Sequence, residues 1–170
     1  MSAEPVAQPI GGFRRWGCRR DGLYSGIFTA GRFVPNPALS LVAPRAVPSP
    51  WPVGHDRAAR CFAVRGHEAP GRECNCGYFA YYALPEDPDL PAPEAVWGAI
   101  VAWGRVIECE RGFRAQYARP VALLDRHNPL DRRKGRRQRL AADHYGIPLL
   151  DRDELIAYAG WHGEVLPASR

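Results

Sequence analysis

Four side chains of the kinds that bind zinc stand within sixteen residues of this sequence: Cys61, His67, Cys74 and Cys76. Sets of four Cys and His residues at short spacings are characteristic of tetrahedral structural zinc sites. Residues two apart on an extended segment project to the same side, so Cys74 and Cys76 can both reach one ion. The sequence therefore predicts a structural zinc ion that holds the 61–76 loop.

Other interpretations of the cysteines and histidines stay open. Cys61 can be a buried core thiol and His67 an exposed loop histidine, with no metal between them. His55 is a substitute fourth ligand if His67 points away, and Cys18 and Cys109 are expected to be lone thiols. A set of four protein ligands leaves no open position on the metal, so the first interpretation predicts a structural rather than a catalytic site.

The composition favours a soluble globular protein. Hydrophobic residues make up 46% of the 170, which supplies a core and excludes a wholly disordered chain. No apolar run approaches the roughly 20 residues that cross a bilayer, and residues 1–10 lack the pattern of a signal peptide. We therefore expect a cytoplasmic protein without membrane contact, with a flexible leader over 1–12 and a single α+β domain over 13–170.

The strongest strand pattern lies in residues 95–109, where apolar side chains occupy both alternating faces. This predicts a strand that is covered on both sides. A second strand, with one polar face, follows over 113–124. Strand, turn and strand are also expected over 13–25, because Asp21-Gly22 is a dipeptide that favours a tight hairpin turn.

Weaker signals fill the remainder of the first two thirds of the chain. Short strands are expected over 58–64 and 74–84, the second rich in aromatic residues. The proline density of residues 34–54 excludes a helix and predicts an extended loop anchored by Trp51. The acidic stretch 85–93 is expected to be a connecting loop.

The last third of the sequence has helix signals. Asp131 can cap a helix that runs to about Tyr145, and Gly146 stands where a left-handed residue is favoured. An edge strand is expected over 147–150, and Asp-x-x-Glu at 151–154 is a capping-box pattern that begins a last helix. Strands first and helices last predict an α+β fold: a mixed or antiparallel sheet, which can be a small barrel-like one, followed by two C-terminal helices.

Basic residues are concentrated in one part of a chain whose formal net charge is +5. Six of them fall within eight residues: Arg132, Arg133, Lys134, Arg136, Arg137 and Arg139. Cations in a first helical turn oppose the helix dipole, which favours an anionic partner, although a solvated charge run needs none. The leading hypothesis is a small zinc-stabilised intracellular protein that acts as a nucleic-acid-associated accessory or regulatory factor, with phosphate contacts from this run.

An enzyme is the first alternative function. Glu108, Glu110, Arg111 and Arg114 cluster around one strand end and could bind a nucleotide or another anionic small molecule, or form a cross-strand ion-pair ladder instead. The sequence has no P-loop, no dinucleotide-binding glycine motif and no metalloprotease motif. Whether the chain is an enzyme, and which residues would be catalytic, stays open.

Aromatic residues mixed with arginine lead to two further hypotheses. Such residues suit stacking on single-stranded nucleic acid, although aromatic residues at strand spacing are more often core. The members of this group are Phe13, Arg14, Arg15, Trp16, Arg111, Phe113, Arg114, Tyr117 and Arg119. A protein-interaction module is the second hypothesis, and apolar surface left uncovered around Trp16 and Trp51 would support it.

Two motifs carry a resemblance to a known family. They are Cys74-Asn-Cys-Gly-Tyr-Phe-Ala80 and Trp103-Gly-Arg-Val-Ile-Glu-Cys-Glu-Arg-Gly-Phe-Arg-Ala-Gln-Tyr-Ala-Arg-Pro120. The chain resembles an uncharacterised family of small proteins of actinobacteria and their phages, in which a C-x-C-G-x-Y-A strand precedes a W-G-R-V hairpin. In that pattern an upstream Cys and a His-x-x-Pro stand before the C-x-C. The resemblance, over roughly residues 13–124, implies that Cys61 and His67 belong with the later cysteines, and it implies no substrate.

Overall fold

The chain forms an antiparallel sheet followed by two helices, which confirms the α+β fold class predicted from the sequence. The computed structural model describes residues 5–19, 22–25, 27–29, 32–34, 49–54, 57–61, 66–86, 95–125 and 132–165. The strands are β1 (Pro5–Arg19), β2 (Gly22–Ser25), β3 (Ile27–Thr29), β4 (Arg32–Val34), β5 (Ser49–Pro50), β6 (Tyr78–Tyr81), β7 (Ala95–Cys109), β8 (Gly112–Leu124), β9 (Leu149–Leu150) and β10 (Glu164–Val165). The helices are α1 (Arg132–Tyr145) and α2 (Arg152–His162).

The main sheet has the strand order β5-β2-β1-β6-β8-β7, and β1 also pairs with β7. The pairings β1–β6, β6–β8, β8–β7 and β7–β1 therefore run in a closed circuit, as a small barrel-like sheet requires. β9 and β10 add parallel pairings to β8 and β1, and β3 and β4 form a separate hairpin. The β1–β2 pair is the antiparallel hairpin expected over 13–25, although Asp21 lies outside the described residues.

β7 is covered on both faces, as its sequence predicts. Val96, Ile100 and Val106 pack into one core cluster, here called the Trp16 cluster, whose largest members are Trp16 and Trp51. The alternate residues of β7, Trp97, Ala99 and Val101, pack into a second core cluster, here called the Phe13 cluster. That cluster also includes Phe13 of β1 and Leu124 of β8. The two-residue period of a strand assigns successive side chains to opposite clusters.

The two helices pack against different core clusters. α1 contributes Ala141 and Ala142 to the Trp16 cluster, and the buried Gln138 donates a hydrogen bond to the carbonyl of Leu124 at 3.4 Å. α2 contributes Leu155 and Ala159 to the Phe13 cluster. Neither helix has the length and apolar character needed to cross a membrane, and no other helix in the described residues does.

The ends of the helices agree with their sequence signals. Gly146 follows α1 with φ of +63°, the left-handed conformation expected there. Asp151 caps α2, and the capping box with Glu154 is complete: the Asp151 side chain accepts from the Glu154 N–H at 2.9 Å, and the Glu154 carboxylate accepts from the Asp151 N–H at 3.2 Å. The predicted cap of α1, Asp131, lies outside the described residues.

Residues 5–12, expected to be part of a flexible leader, belong to β1 instead. Their glycines have a packing role: a Cβ placed on Gly12 would lie 2.8 Å from the Phe113 ring and 3.1 Å from the Ala80 side chain. Gly11 and Gly12 pair with Val101 and Ile100 of β7. Small residues allow the strands to approach this closely. In a sequence alone, the same glycines are equally typical of a flexible segment.

Two of the shorter strand predictions are corrected. The strand expected over 58–64 is wrong for residues 58–61, which have no regular structure, and residues 62–65 lie outside the described part. Of 74–84, only Tyr78–Tyr81 is a strand. In the proline-rich loop, Trp51 is buried as predicted, while residues 35–48 are outside the described part.

Candidate functional site

The four predicted metal ligands are brought together in the loop that precedes β6. The ligand atoms of Cys61, His67, Cys74 and Cys76 all lie within 4.8 Å of one another. The Sγ atoms of Cys61 and Cys74 are 3.5 Å apart, and His67 Nε2 is 3.2 Å from Cys76 Sγ. In a tetrahedral zinc site the edges are about 3.8 Å between two sulfurs and about 3.5 Å between nitrogen and sulfur. The group can therefore hold a metal ion.

Cys74 and Cys76 stand just before β6, where the backbone has to turn. Gly77 has φ of +115°, a conformation that side-chain-bearing residues rarely adopt. A Cβ on Gly77 would also lie 3.0 Å from the Pro70 side chain and 3.3 Å from the carbonyl oxygen of Ala115. A glycine at this position therefore lets the two cysteines face the ligand group while the chain enters the sheet.

The position of the His67 ring depends on a second glycine. A Cβ on Gly71 would lie 2.7 Å from His67 Cδ2 and 2.8 Å from His67 Nε2, which is closer than real Cβ contacts. The N–H of Gly71 also donates to Cys76 Sγ at 3.2 Å. Ala69 and Pro70, between the histidine and this glycine, are buried. The loop backbone is therefore packed around its own ligands.

Arg114 is the residue that joins this loop to the sheet. Its side chain is buried, and its Nη1 donates to the carbonyl oxygens of Gly71 at 3.0 Å, Cys76 at 3.3 Å and Cys74. A divalent ion with three thiolates and one neutral imidazole carries one net negative charge, which the guanidinium would balance. Such outer contacts fix the geometry of ligands in metal sites. The sequence analysis did not find this role.

The thiols of the cluster would have to lose their protons to a metal ion that bound there. Burial raises the pKa of the Cys76 thiol, the hydrogen bond from the Gly71 N–H opposes this rise, and the neighbouring Cys74 and Cys61 thiols add to it. Without a cation, three thiolates at these distances would repel one another. A divalent ion removes that repulsion and stabilises the deprotonated sulfurs.

Further contacts attach the loop and its flanking segment to β6, β7 and β8. The Glu68 carboxylate pairs with the Arg105 guanidinium at 2.9 Å, and the Ala59 N–H donates to the Gln116 carbonyl at 2.7 Å. The Tyr78 hydroxyl donates to the Arg57 carbonyl at 3.1 Å. The other cysteines lie elsewhere: Cys18 is buried in the Trp16 cluster, and the thiol of Cys109 approaches the Ile107 carbonyl at 3.8 Å. His55 is outside the described residues.

The residues proposed for an enzyme site on the β7–β8 hairpin do not converge. Glu108 pairs with Phe113, whereas Arg114 pairs with Ile107, so the two charged side chains project from opposite faces of the hairpin. Arg114 is engaged by the metal loop, while Glu108, Glu110 and Arg111 are exposed. Glu108 and Arg114 therefore do not share one anion pocket, which the enzyme alternative required of them.

The tryptophans proposed as an interaction surface are core residues. Trp16 is fully buried and Trp51 is 3% exposed, with the two ring centroids 5.3 Å apart. The Arg14 guanidinium lies 4.7 Å from the Trp51 ring centroid, and its Nη2 donates to Ser25 Oγ at 3.0 Å. Burial lowers the pKa of Arg14 to about 10, and the nearby Tyr81 and Tyr78 oppose this shift. Among the described residues, Trp16 and Trp51 therefore do not provide the uncovered apolar surface that would support a protein-interaction module.

The run of basic residues predicted from the sequence lies on α1, and part of it forms one face of that helix. Arg133, Arg136, Arg137 and Leu140 follow the spacing of one helix face and line a surface depression of about 520 Å³. The opposite face carries the buried Gln138, Ala141 and Ala142. Arg139 is exposed and Lys134 is half-buried, while the side chain of Arg132 lies outside the described part. Three of the six predicted cations therefore share one concave surface.

Comparisons with protein-family models, with curated proteins and with solved structures find no match to this chain. The family resemblance drawn from the sequence motifs stays a prediction.

Proposed function

We propose that this chain is a small zinc-stabilised accessory protein that associates with nucleic acid through phosphate contacts from α1. The observation that carries the proposal is the concave face of α1 lined by Arg133, Arg136 and Arg137. Guanidinium groups match phosphate oxygens with paired hydrogen bonds, so three of them on one helix face suit a polyanion.

The local electrostatics of α1 support an anionic partner. Its first turn contains no acidic residue, so cations stand at the end of the helix where the dipole already places positive charge. Among the described residues, neither Arg133 nor Arg136 forms an ion pair. A phosphate at this surface would convert an unfavourable arrangement of charges into a favourable one.

Zinc is the metal we assign to the Cys/His cluster. Three sulfurs and one imidazole nitrogen form a soft ligand set that zinc accepts in a tetrahedron, and calcium and magnesium prefer oxygen. Because the protein supplies all four ligands, the ion would be structural: it would hold the 61–76 loop against Arg114 and β6.

The test of the function is a salt titration of binding to a labelled duplex DNA and to heparin. Each phosphate contact contributes about 0.9 to the slope of log K against log salt for duplex DNA. We expect Arg133→Gln/Arg136→Gln to weaken binding and reduce that slope by about 2. The matched control Arg72→Gln/Arg111→Gln removes two exposed arginines from outside α1 and is expected to change the slope less. Equal slopes for both variants and the unaltered protein would contradict the proposal.

A further inference from the structure

An aromatic pair lies on the surface beside the metal loop. The rings of Trp103 and Tyr117 are stacked with centroids 5.9 Å apart and planes inclined by 11°. Trp103 packs against the Phe13 cluster, and both Trp103 and Tyr117 are half-buried. Gly104, with φ of +79°, makes room for the pair, because a Cβ there would lie 2.8 Å from the Tyr117 ring. The Tyr117 ring therefore occupies the space that a side chain on residue 104 would need, and part of its surface stays exposed.

Arginines flank this aromatic pair on two sides. Arg119 is exposed and, two residues along β8, lies on the same sheet face as Tyr117. The segment before Cys61 runs beside β8, since the Ala59 N–H donates to the carbonyl of Gln116, the neighbour of Tyr117. That segment carries the exposed residues Arg57 and Arg60. Exposed arginines therefore stand on β8 and on the neighbouring segment beside the pair.

The end of α2 brings a second aromatic group to the same region. Trp161 is 81% exposed, the largest exposure among the bulky apolar side chains of the described residues. Its ring centroid is 5.9 Å from that of Tyr158, which packs against the Phe13 cluster as Trp103 does. Two residues after Trp161, Gly163 lies against Pro9 and Gly11 of β1.

The strand register connects these two aromatic groups. Ile10, which stands between the two β1 residues that contact Gly163, pairs with Ala102 of β7. Ala102 is the neighbour of Trp103, so the end of α2 and the Trp103–Tyr117 pair belong to the same region of the sheet. Of the four aromatic residues, Trp161 is exposed and Trp103, Tyr117 and Tyr158 are half-buried. An exposed aromatic side chain beside partly exposed ones marks a candidate binding surface.

We propose that this region, here called the aromatic surface and defined by Trp103, Tyr117, Tyr158 and Trp161, binds single-stranded nucleic acid by base stacking. The inference rests on the nucleic-acid association proposed above and adds the strandedness of the ligand. Unpaired bases present flat faces that stack on aromatic rings whatever their sequence, and flanking arginines engage the phosphates. Bases inside a duplex do not present these faces, and heparin has none.

The experiment measures binding of a labelled oligothymidine, a duplex and heparin to the full chain with its metal. The variants are Tyr117→Leu and Trp161→Leu, which keep apolar volume but remove the aromatic face, and Tyr117→Phe, which keeps it. We expect each leucine variant to weaken oligothymidine binding by roughly 5-fold or more, and Tyr117→Phe to bind as the unaltered protein does. Duplex and heparin binding are expected to stay unchanged. A thermal melt of each variant establishes that it is folded.

The outcomes separate this inference from the proposed function. If the unaltered protein binds none of the three probes, the nucleic-acid association itself fails. If it binds them and both leucine variants bind oligothymidine as well as the unaltered protein does, base stacking is excluded while the α1 contact stands. That result would leave an apolar contact with another protein as the alternative role of the aromatic surface.

Discussion

Replacing Arg114 by methionine tests whether the metal loop depends on its attachment to the sheet. The guanidinium is the donor for three carbonyl oxygens of the loop, those of Gly71, Cys74 and Cys76. Methionine keeps much of the length and apolar volume of the side chain and removes every donor. The substitution therefore isolates the hydrogen bonds and the charge from the packing.

The magnitude follows from the geometry at Nη1. One Nη nitrogen carries two hydrogens, so it satisfies about two of the three carbonyls at a time. Hydrogen bonds to a charged group contribute about 1.5–3 kcal/mol each, which gives about 3–6 kcal/mol for the pair. Arg114 is only 9% exposed, so water compensates little of this loss. Because whole domains are stable by about 5–15 kcal/mol, the loss is a large fraction of the total.

The assay is urea unfolding with saturating zinc, combined with zinc affinity from competition with a chelator. We expect Arg114→Met to lower the unfolding midpoint strongly and to bind zinc at least 10-fold more weakly, since the loop loses the contacts that preorganise its ligands. Arg111→Met, at an exposed position in the β7–β8 turn, is the control. A variant of Arg114 with unchanged midpoint and unchanged zinc affinity would refute the reasoning.

The remaining predictions concern the metal, a glycine and a tyrosine. Chelation is expected to lower the melting temperature of the unaltered protein. The Cys76→Ser variant is expected to lose most of this response to the chelator, whereas Cys109→Ser is expected to keep it. Calorimetry combined with metal analysis measures both. Gly71→Ala is expected to weaken zinc binding by forcing the His67 ring aside, whereas Gly135→Ala, with open space around it in α1, should stabilise the protein by about 0.5–1 kcal/mol. Burial raises the pKa of Tyr82, with repulsion from Glu108 adding to the shift. The stability that this shift of Tyr82 contributes is therefore fully present below the unfolded-state pKa and is lost as pH rises through the folded-state pKa. An ultraviolet titration of tyrosinate, compared with alkaline unfolding, measures this.

The parts of the fold that the sequence predicts well have local or strictly periodic signals. β7 was expected over 95–109 and occupies those residues, because both alternating faces are apolar over its whole length. The capping box at Asp151 and the left-handed Gly146 depend on contacts within a few residues. The ligand cluster is also a local signal, since its four side chains fall within sixteen residues.

The parts that escaped prediction depend on contacts between distant segments. Arg114 looks like any polar residue on a strand face until the loop that contains Gly71 and Cys76 is folded over it. Gly12 looks like part of a loose leader, because the Phe113 ring that fills its missing side chain is far along the chain. A single sequence contains no signal for either contact. Both contacts join segments that are distant in the sequence, and they are therefore recognised only in the folded structure.

The closed circuit of strands has a consequence for the order in which the protein can form during synthesis. β1 pairs with residues 95–105 of β7 and with residues 164–165 of β10. The edge of β1 that forms these pairings therefore has no partner until those residues have been synthesised. Pairings this distant in sequence make folding slow and leave strand edges open to other chains. The four metal ligands need only sixteen residues to meet. Metal supply during translation would then determine whether the 61–76 loop is ordered in the nascent chain before β1 can pair with β7.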